Sequence, residues 1–234
     1  MRKPFQFKQF TVEDSNSPMK VNTDAVLLGA WVQHPNPSEI LDVGTGCGII
    51  AMMLAQRFKG KITAIDINEG AIQDAYLNFS RSGWSERFEA ILHDFNSFQI
   101  DKQFDLILSN PPYFSNSLKS PLKDRNISRH TDTLSHTDLI SNSRRLLKTG
   151  GILGVIIPWD VFQYFKMEAK QCGLHLKRVC NVIPVDGKKP NRVLAEFTDK
   201  PLNPVPFEEI IIHHPGHIPT EAYKKLTADF YPAF

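Results

Sequence analysis

A short apolar run that ends in three alternating glycines limits this chain to few architectures. Glu39–Val43 reads as a buried strand and Ile49–Phe58 as an apolar helix, with Gly44-Thr45-Gly46-Cys47-Gly48 between them. A strand that turns this tightly into a helix belongs to a strand–helix–strand crossover, the unit of parallel sheets. Glycine lets the backbone turn sharply and approach a ligand closely. The spacing is G-x-G-x-G, not the G-x-G-x-x-G of dinucleotide folds, so an uncharged or zwitterionic ligand suits it better than a pyrophosphate.

The alternation continues. Lys61–Ile67 is the next strand and holds Asp66 near its end; Asn68 caps a helix to about Ser82, stopped by Gly83. Phe88–His93 is a third strand leading to Asp94, and Phe104–Ser109 a fourth leading to Asn110. Ser135 and Asp138 have capping-box spacing before a helix to Lys148, which Gly150-Gly151 ends; Ile152–Ile157 follows as a strand. A helix over Asp160–Cys172 precedes two strands, Leu174–Ile183 and Asn191–Phe197, paired antiparallel about Asp186-Gly187. Upstream, Val21–Val32 reads as a helix capped by Asn22 or Thr23, and Phe5, Phe7 and Phe10 line a short strand or a buried edge. After Pro201 come an alternating stretch near Ile210–Ile212 and a terminal helix over Glu221–Tyr231. The pattern predicts a doubly wound α/β domain over 1–234, with a cap segment (1–38), a core (39–200) and a C-terminal extension (201–234).

In such folds ligands bind at the carboxyl ends of the strands. Gly44–Gly48, Asp66, Asp94 and Asn110 all fall there, on four successive strands. Singly, each carboxylate is also what an ordinary strand end or helix cap uses. Jointly they describe a ligand: Asp42 to meet an ammonium, Asp66 the two hydroxyls of a ribose, and Asp94 an adenine amino group. An ammonium, a ribose and an adenine describe S-adenosylmethionine better than NAD.

The stretch Asn110-Pro111-Pro112-Tyr113 carries the other half of the chemistry. An amino group conjugated to a flat ring is a poor nucleophile because its lone pair is delocalised. Two acceptors aimed at its N–H bonds, the Asn110 side-chain oxygen and the Pro111 carbonyl, pull the nitrogen towards a tetrahedral shape. Proline removes a competing donor, so the loop presents oxygens. Tyr113 offers a face on which a planar group stacks. The segment 110–135 has little periodicity and many polar residues.

Charge is uneven although the net is only +2. Lys61 to Asn110 holds 4 basic and 8 acidic residues, and Ser141 to Arg192 holds 10 basic and 3 acidic. Solvated faces often look like this; a basic half beside the Asn110 loop also suits a polyanionic substrate. No signal-peptide or bilayer-spanning run is present, which predicts a cytoplasmic protein without a membrane partner. The three cysteines show no C-x-x-C spacing, against zinc and disulfides, and His213-His214-Pro215-Gly216-His217 reads as a surface turn and not a metal site.

The segments L-D-V-G-T-G-C-G, A-I-D-I-N, H-D-F and S-N-P-P-Y resemble the successive motifs of class I S-adenosylmethionine-dependent methyltransferases of the N-P-P-Y amino-methylating group. Phe7-Lys8-Gln9-Phe10, the run Met19–Trp31, Arg192-Val193-Leu194 and Tyr223 through Tyr231 narrow the resemblance to the bacterial tRNA1(Val) (adenine(37)-N6)-methyltransferases. The resemblance implies a Rossmann-like fold with a seven-stranded, mostly parallel sheet, helices on both faces and one antiparallel strand at the C-terminal end. It implies S-adenosylmethionine as cofactor, no metal, and the anticodon stem-loop of a tRNA as partner. Lys20, Thr23 and Asp24 close over the cofactor, joined by Asp42, Gly44, Gly46, Gly48, Asp66, Ile67, Asp94, Phe95 and Asn110. Phe114 shapes the base pocket, and Arg125, Arg129, Lys188, Lys189 and Arg192 are candidates for phosphate contact. A monomer is assumed. The motif reads an exocyclic amine or amide and not a polymer, so ribosomal guanine N2, DNA adenine N6 and release-factor glutamine methylation stand as alternatives, as does a non-catalytic RNA-binding protein. Fewer than 45 residues precede Gly44, which counts against the helical domain expected of a glutamine enzyme.

Overall fold

The computed structural model of the chain describes residues 3–111 and 134–232. Its N-terminal segment forms a hairpin of β1 (Phe5–Gln6) and β2 (Thr11–Val12), followed by α1 (Thr23–Trp31). Asn22 caps α1 by accepting from the Ala25 amide. The alternating core then runs β3 (Glu39–Val43), α2 (Ile49–Arg57), β4 (Lys61–Asp66), α3 (Glu69–Ser80), β5 (Phe88–Leu92) and β6 (Phe104–Ser109). Beyond the segment between 111 and 134 come α4 (His136–Leu146), β7 (Leu147–Pro158), α5 (Phe162–Gln171), β8 (His175–Val185) and β9 (Arg192–Thr198). The chain closes with β10 (Phe207–His214), β11 (Ile218–Pro219) and α6 (Glu221–Thr227).

The main sheet has the order β11-β10-β8-β9-β7-β6-β3-β4-β5. The pairs of β7-β6-β3-β4-β5 are parallel, and β9 runs antiparallel between β7 and β8. Strand side chains alternate between faces. Ile40, Leu106 and Leu108 therefore pack with α1, α2, α3 and α6 on one side. Leu41, Val43 and Ile107 pack with α4 and α5 on the other.

The sheet is larger than the seven strands expected. Among the described residues it holds nine strands, because β10 adds parallel to β8 and β11 antiparallel to β10. Buried Ile210 and Ile212 hold β10 in place as a core strand. A second departure lies at Gly150-Gly151, where a helix break was expected. The helix ends at Leu146, β7 starts at Leu147, and the glycines sit inside the strand. Gly150 has φ +76°, and a Cβ at Gly151 would lie 3.0 Å from the Phe104 carbonyl, so glycine is what lets β7 begin early beside β6. Among the described residues no helix is long and apolar enough to cross a membrane.

Candidate active site

Register brings the four predicted strand ends side by side. Val43 pairs with Ile65 and with Ser109, and Asp66 pairs with Leu92. The Ser109 hydroxyl donates to the Val43 carbonyl at 2.9 Å, and the amides of Gly44 and Thr45 donate to the Ile65 carbonyl at 2.9 and 3.0 Å. The glycine turn is thus laid across the tip of β4.

All three glycines of the turn have positive φ: Gly44 +69°, Gly46 +56° and Gly48 +82°. Their reasons differ. A Cβ at Gly44 would meet nothing within 4 Å, whereas one at Gly48 would lie 2.6 Å from the Phe79 ring. Gly44 and Gly46 line a cavity; Gly48 is not part of its wall and instead lets α2 start against α3. Asp42, expected at the ligand ammonium, is also absent from the wall. Alternation along β3 turns it towards α2, where it is fully buried and accepts from the Thr45 hydroxyl at 2.6 Å and the Ala51 amide at 3.2 Å, both on Oδ2. Its Oδ1 has no partner among the described residues. Burial, with nearby Asp66 adding to it, pushes this carboxyl up to about 7.

The cavity has a volume of about 320 Å³, within the range of small-molecule sites. Gly44, Gly46, Asp66, Ile67, Asp94 and Phe95 line it, and Asn110 and Pro111 stand on the same wall. Asp66 Oδ2 accepts from the Gly46 amide at 2.8 Å and Oδ1 from the Asn68 amide at 2.9 Å. These bonds fix the carboxylate while each oxygen keeps a lone pair for a ligand hydroxyl. Asp94 is held in the same way, by the Asn96 amide at 2.9 Å. Asn110 is buried, with its Nδ2 4.0 Å from Met19 Sδ. A fixed pair of carboxylates, an open glycine cradle and apolar Ile67 and Phe95 between them suit an adenosyl group.

The roof was not foreseen in this form. Ser17, Pro18, Met19 and Lys20 line the cavity from above. Buried Asp74 on α3 accepts from the amides of Asn16 and Ser17 at 2.8 and 2.7 Å and from Asn16 Nδ2 at 2.8 Å. Asn78, one turn on, exchanges hydrogen bonds with the backbone of Glu13 at 2.8 Å in each direction. Lys20 lines the cavity, and its ammonium is tied to the carbonyls of Asp14, Ser15 and Ser17. Thr23 and Asp24 are not in the wall; their neighbours Asn22 and Ala25 are. The first turn of α1 places half-buried Asp24 against Arg192, whose Nε donates to it at 2.9 Å. Arg192, a candidate phosphate contact, is thereby engaged by α1. Lys188 and Lys189 are exposed on the β8–β9 connection, at the carboxyl edge of the sheet. Pro112, Tyr113, Phe114, Arg125 and Arg129 lie outside the described residues. His213 and His217 pack as rings at 5.9 Å across the β10–β11 turn, and no group of acidic, histidine or cysteine side chains among the described residues is placed to hold a metal.

Residues 16–170 match the methyltransferase small domain family. The tRNA1(Val) (adenine(37)-N6)-methyltransferase of Phocaeicola vulgatus is 43% identical over 97% of both chains. That of Bacteroides thetaiotaomicron is 42% identical over 97% of this chain and 96% of its own. In fold, a predicted O-methyltransferase from Agrobacterium tumefaciens superposes with a TM-score of 0.67 at 19% identity, over 91% of this chain and 98% of that one. The sheet is that of a Rossmann-like class I methyltransferase, and S-adenosylmethionine is the cofactor. With a family model over residues 16–170 and near-full-length relatives above 40% identity, this chain belongs to the tRNA1(Val) (adenine(37)-N6)-methyltransferase family, within the methyltransferase small-domain proteins.

Proposed function

We propose that this chain methylates N6 of adenine 37 in the anticodon loop of tRNA1(Val), acting in the cytoplasm. The observation that carries the reading is that Asn110 lines the same cavity as Gly44, Asp66 and Asp94. Asp66 would hold the ribose hydroxyls and Asp94 the adenine amino group, with Ile67 and Phe95 against the base. S-adenosylmethionine, when bound, supplies a methyl group activated on a sulfonium.

The rest is done by this chain's residues on the target base. Bases in a loop unstack at less cost than in a duplex, so adenine 37 reaches the cavity mouth. Asn110 Oδ1 and the Pro111 carbonyl accept from the two N6 hydrogens and free the nitrogen lone pair. Tyr113 stacks on the ring and Phe114 shapes its pocket. The nitrogen becomes acidic as its new bond to carbon forms and releases one proton to water, so no strong general base is needed. Alignment and preorganised acceptors supply the catalysis. Phosphates are met by Arg125, Arg129, Lys188 and Lys189.

The test is transfer of labelled methyl from S-adenosylmethionine into transcribed tRNA1(Val), into the same RNA with guanine at position 37, into ribosomal RNA, DNA and a release factor. Label confined to the adenine-37 RNA and released as N6-methyladenosine is expected. Equal label in the guanine-37 RNA, or label in another polymer, rejects the assignment.

A further inference from the structure

Trp159 follows directly on β7, the strand next to the one that leads to Asn110, and is 50% exposed, whereas Trp31 is 4% exposed. An aromatic face half open to water, with exposed lysines near it at the carboxyl edge of the sheet, is the combination on which an unpaired nucleic-acid base stacks. Its position is fixed by backbone. The Trp159 amide donates to the Asn191 carbonyl at 3.1 Å, and Pro158 pairs with Arg192. The connection just before Arg192 carries exposed Lys188 and Lys189, and it is braced where the Asp186 amide donates to the His213 carbonyl at 2.9 Å. Nearby charges of the opposite sign are Asp160, Asp186 and the Asp24 that Arg192 engages.

Register gives the distance to the chemistry. Val155 lies opposite Ser109. Trp159 is four residues past Val155 and Asn110 one past Ser109, so Trp159 stands about 10 Å further out along the strands and one strand, about 4.8 Å, to the side. A base held at Asn110 leaves its neighbours in the loop near this ledge.

We propose that Trp159 is a stacking platform for an unpaired base adjacent to the target adenine, with Lys188 and Lys189 gripping the flanking phosphates. The inference rests on the anticodon-loop reading given above. Aromatic stacking of this kind is sequence-tolerant, and its loss weakens binding about 5- to 150-fold. Each phosphate contact adds about 0.7 to the salt slope for single strands.

The test titrates the full chain with the anticodon stem-loop RNA of tRNA1(Val). Tryptophan fluorescence should be quenched in the wild type and not in Trp159→Phe, because Trp31 is buried and Trp84 only partly exposed. Trp159→Leu should weaken RNA binding at least fivefold while Trp159→Phe keeps most of it, with S-adenosylmethionine affinity and melting temperature unchanged in both. Lys188→Ala with Lys189→Ala should flatten the salt slope by about 1.4. RNA affinity within twofold of wild type in both Trp159→Leu and Trp159→Ala overturns the platform while leaving the methylation reading intact. A wild-type chain that neither binds nor methylates the RNA overturns both.

Discussion

Gly48→Ala and Gly44→Ala put the same methyl group into the same turn for different physical consequences. At Gly48 two costs add. An L-residue at φ +82° meets the left-handed penalty of about 1–2 kcal/mol. The new Cβ also falls 2.6 and 2.8 Å from two atoms of the Phe79 ring and 3.3 Å from Ala75 Cβ. Phe79 has no easy retreat, since it is buried and stacked on Phe88 at 4.1 Å and 7°. Overpacking of this kind costs about 1–3 kcal/mol. The sum, roughly 2–5 kcal/mol, is a large share of an ordinary domain's stability and lowers Tm by roughly 4–20 °C at this size. At Gly44 the backbone penalty alone applies, because nothing lies within 4 Å of the added methyl. That empty space adjoins the cavity, so Gly44→Ala should lose at least tenfold in S-adenosylmethionine affinity with only about 1–2 kcal/mol of stability. Urea melts and calorimetric titration of both variants separate the two effects. Phe79→Leu should restore part of the stability lost in Gly48→Ala. Melting of Gly48→Ala within 2 °C of wild type, or normal cofactor binding by Gly44→Ala, would refute this division between the two glycines.

Asn110→Ala should reduce turnover about 10²–10³-fold, the scale of a lost transition-state hydrogen-bonding group, with S-adenosylmethionine affinity within a few-fold of wild type by calorimetry. Asp42 gives a pH signature. Its carboxyl is pushed up to about 7 in the folded chain, from the ordinary range near 3.8, first of all by burial. Between those pH values the folded state holds a proton that the unfolded state releases, so stability falls as pH rises from about 4 to about 7, by on the order of 4 kcal/mol. Asp42→Asn should flatten that slope in urea melts at pH 5 and 7.5, and an unchanged slope removes Asp42 as its cause. Asp74→Ala strips three hydrogen bonds from the roof and leaves the Ser17 amide in a buried place; a loss of about 2–4 kcal/mol and a clear rise in cofactor Kd are expected, and an unaltered Kd would show that the roof does not help to hold the ligand.

What was legible in the sequence is what local pattern determines. The strands Glu39–Val43 and Phe104–Ser109 have the predicted bounds because apolar runs ending in glycine, proline or aspartate leave little choice. The juxtaposition of Asp66, Asp94 and Asn110 follows from parallel pairing once those strands are assigned. The roof was opaque because its bonds are distant in sequence: Asn16 and Ser17 reach Asp74 across 58 and 57 residues. One signal was available. Asp74 and Asn78 sit one helical turn apart on the stripe that also holds Ala71, Ala75 and Phe79, and polar side chains on an apolar stripe require partners. The resemblance pointed to Lys20, Thr23 and Asp24, and of these three Lys20 alone lines the cavity. Asn22 and Ala25 line it instead, Asn22 because it turns back to cap α1, while Asp24 is engaged by Arg192.

Asp42 and Asp66 show how far a residue type can be trusted without its phase. Both are carboxylates at the ends of neighbouring parallel strands. Asp42 lies one residue short of the end of β3, so pleat parity points it at α2, into the layer that cannot hydrate a charge. Asp66 is the last residue of β4, and two loop amides hold it at the cavity. The first keeps the glycine turn in shape through Thr45 and Ala51; the second faces the ligand through the turn so shaped. The binding wall therefore depends on a carboxyl that never reaches it. Asp42 variants should consequently weaken cofactor binding in step with their stability, whereas Asp66→Asn, which keeps one of the two loop-amide bonds, should weaken binding by far more than its small loss of Tm accounts for. Calorimetric titration beside thermal melts distinguishes them, and equal behaviour of the two would refute the division of labour.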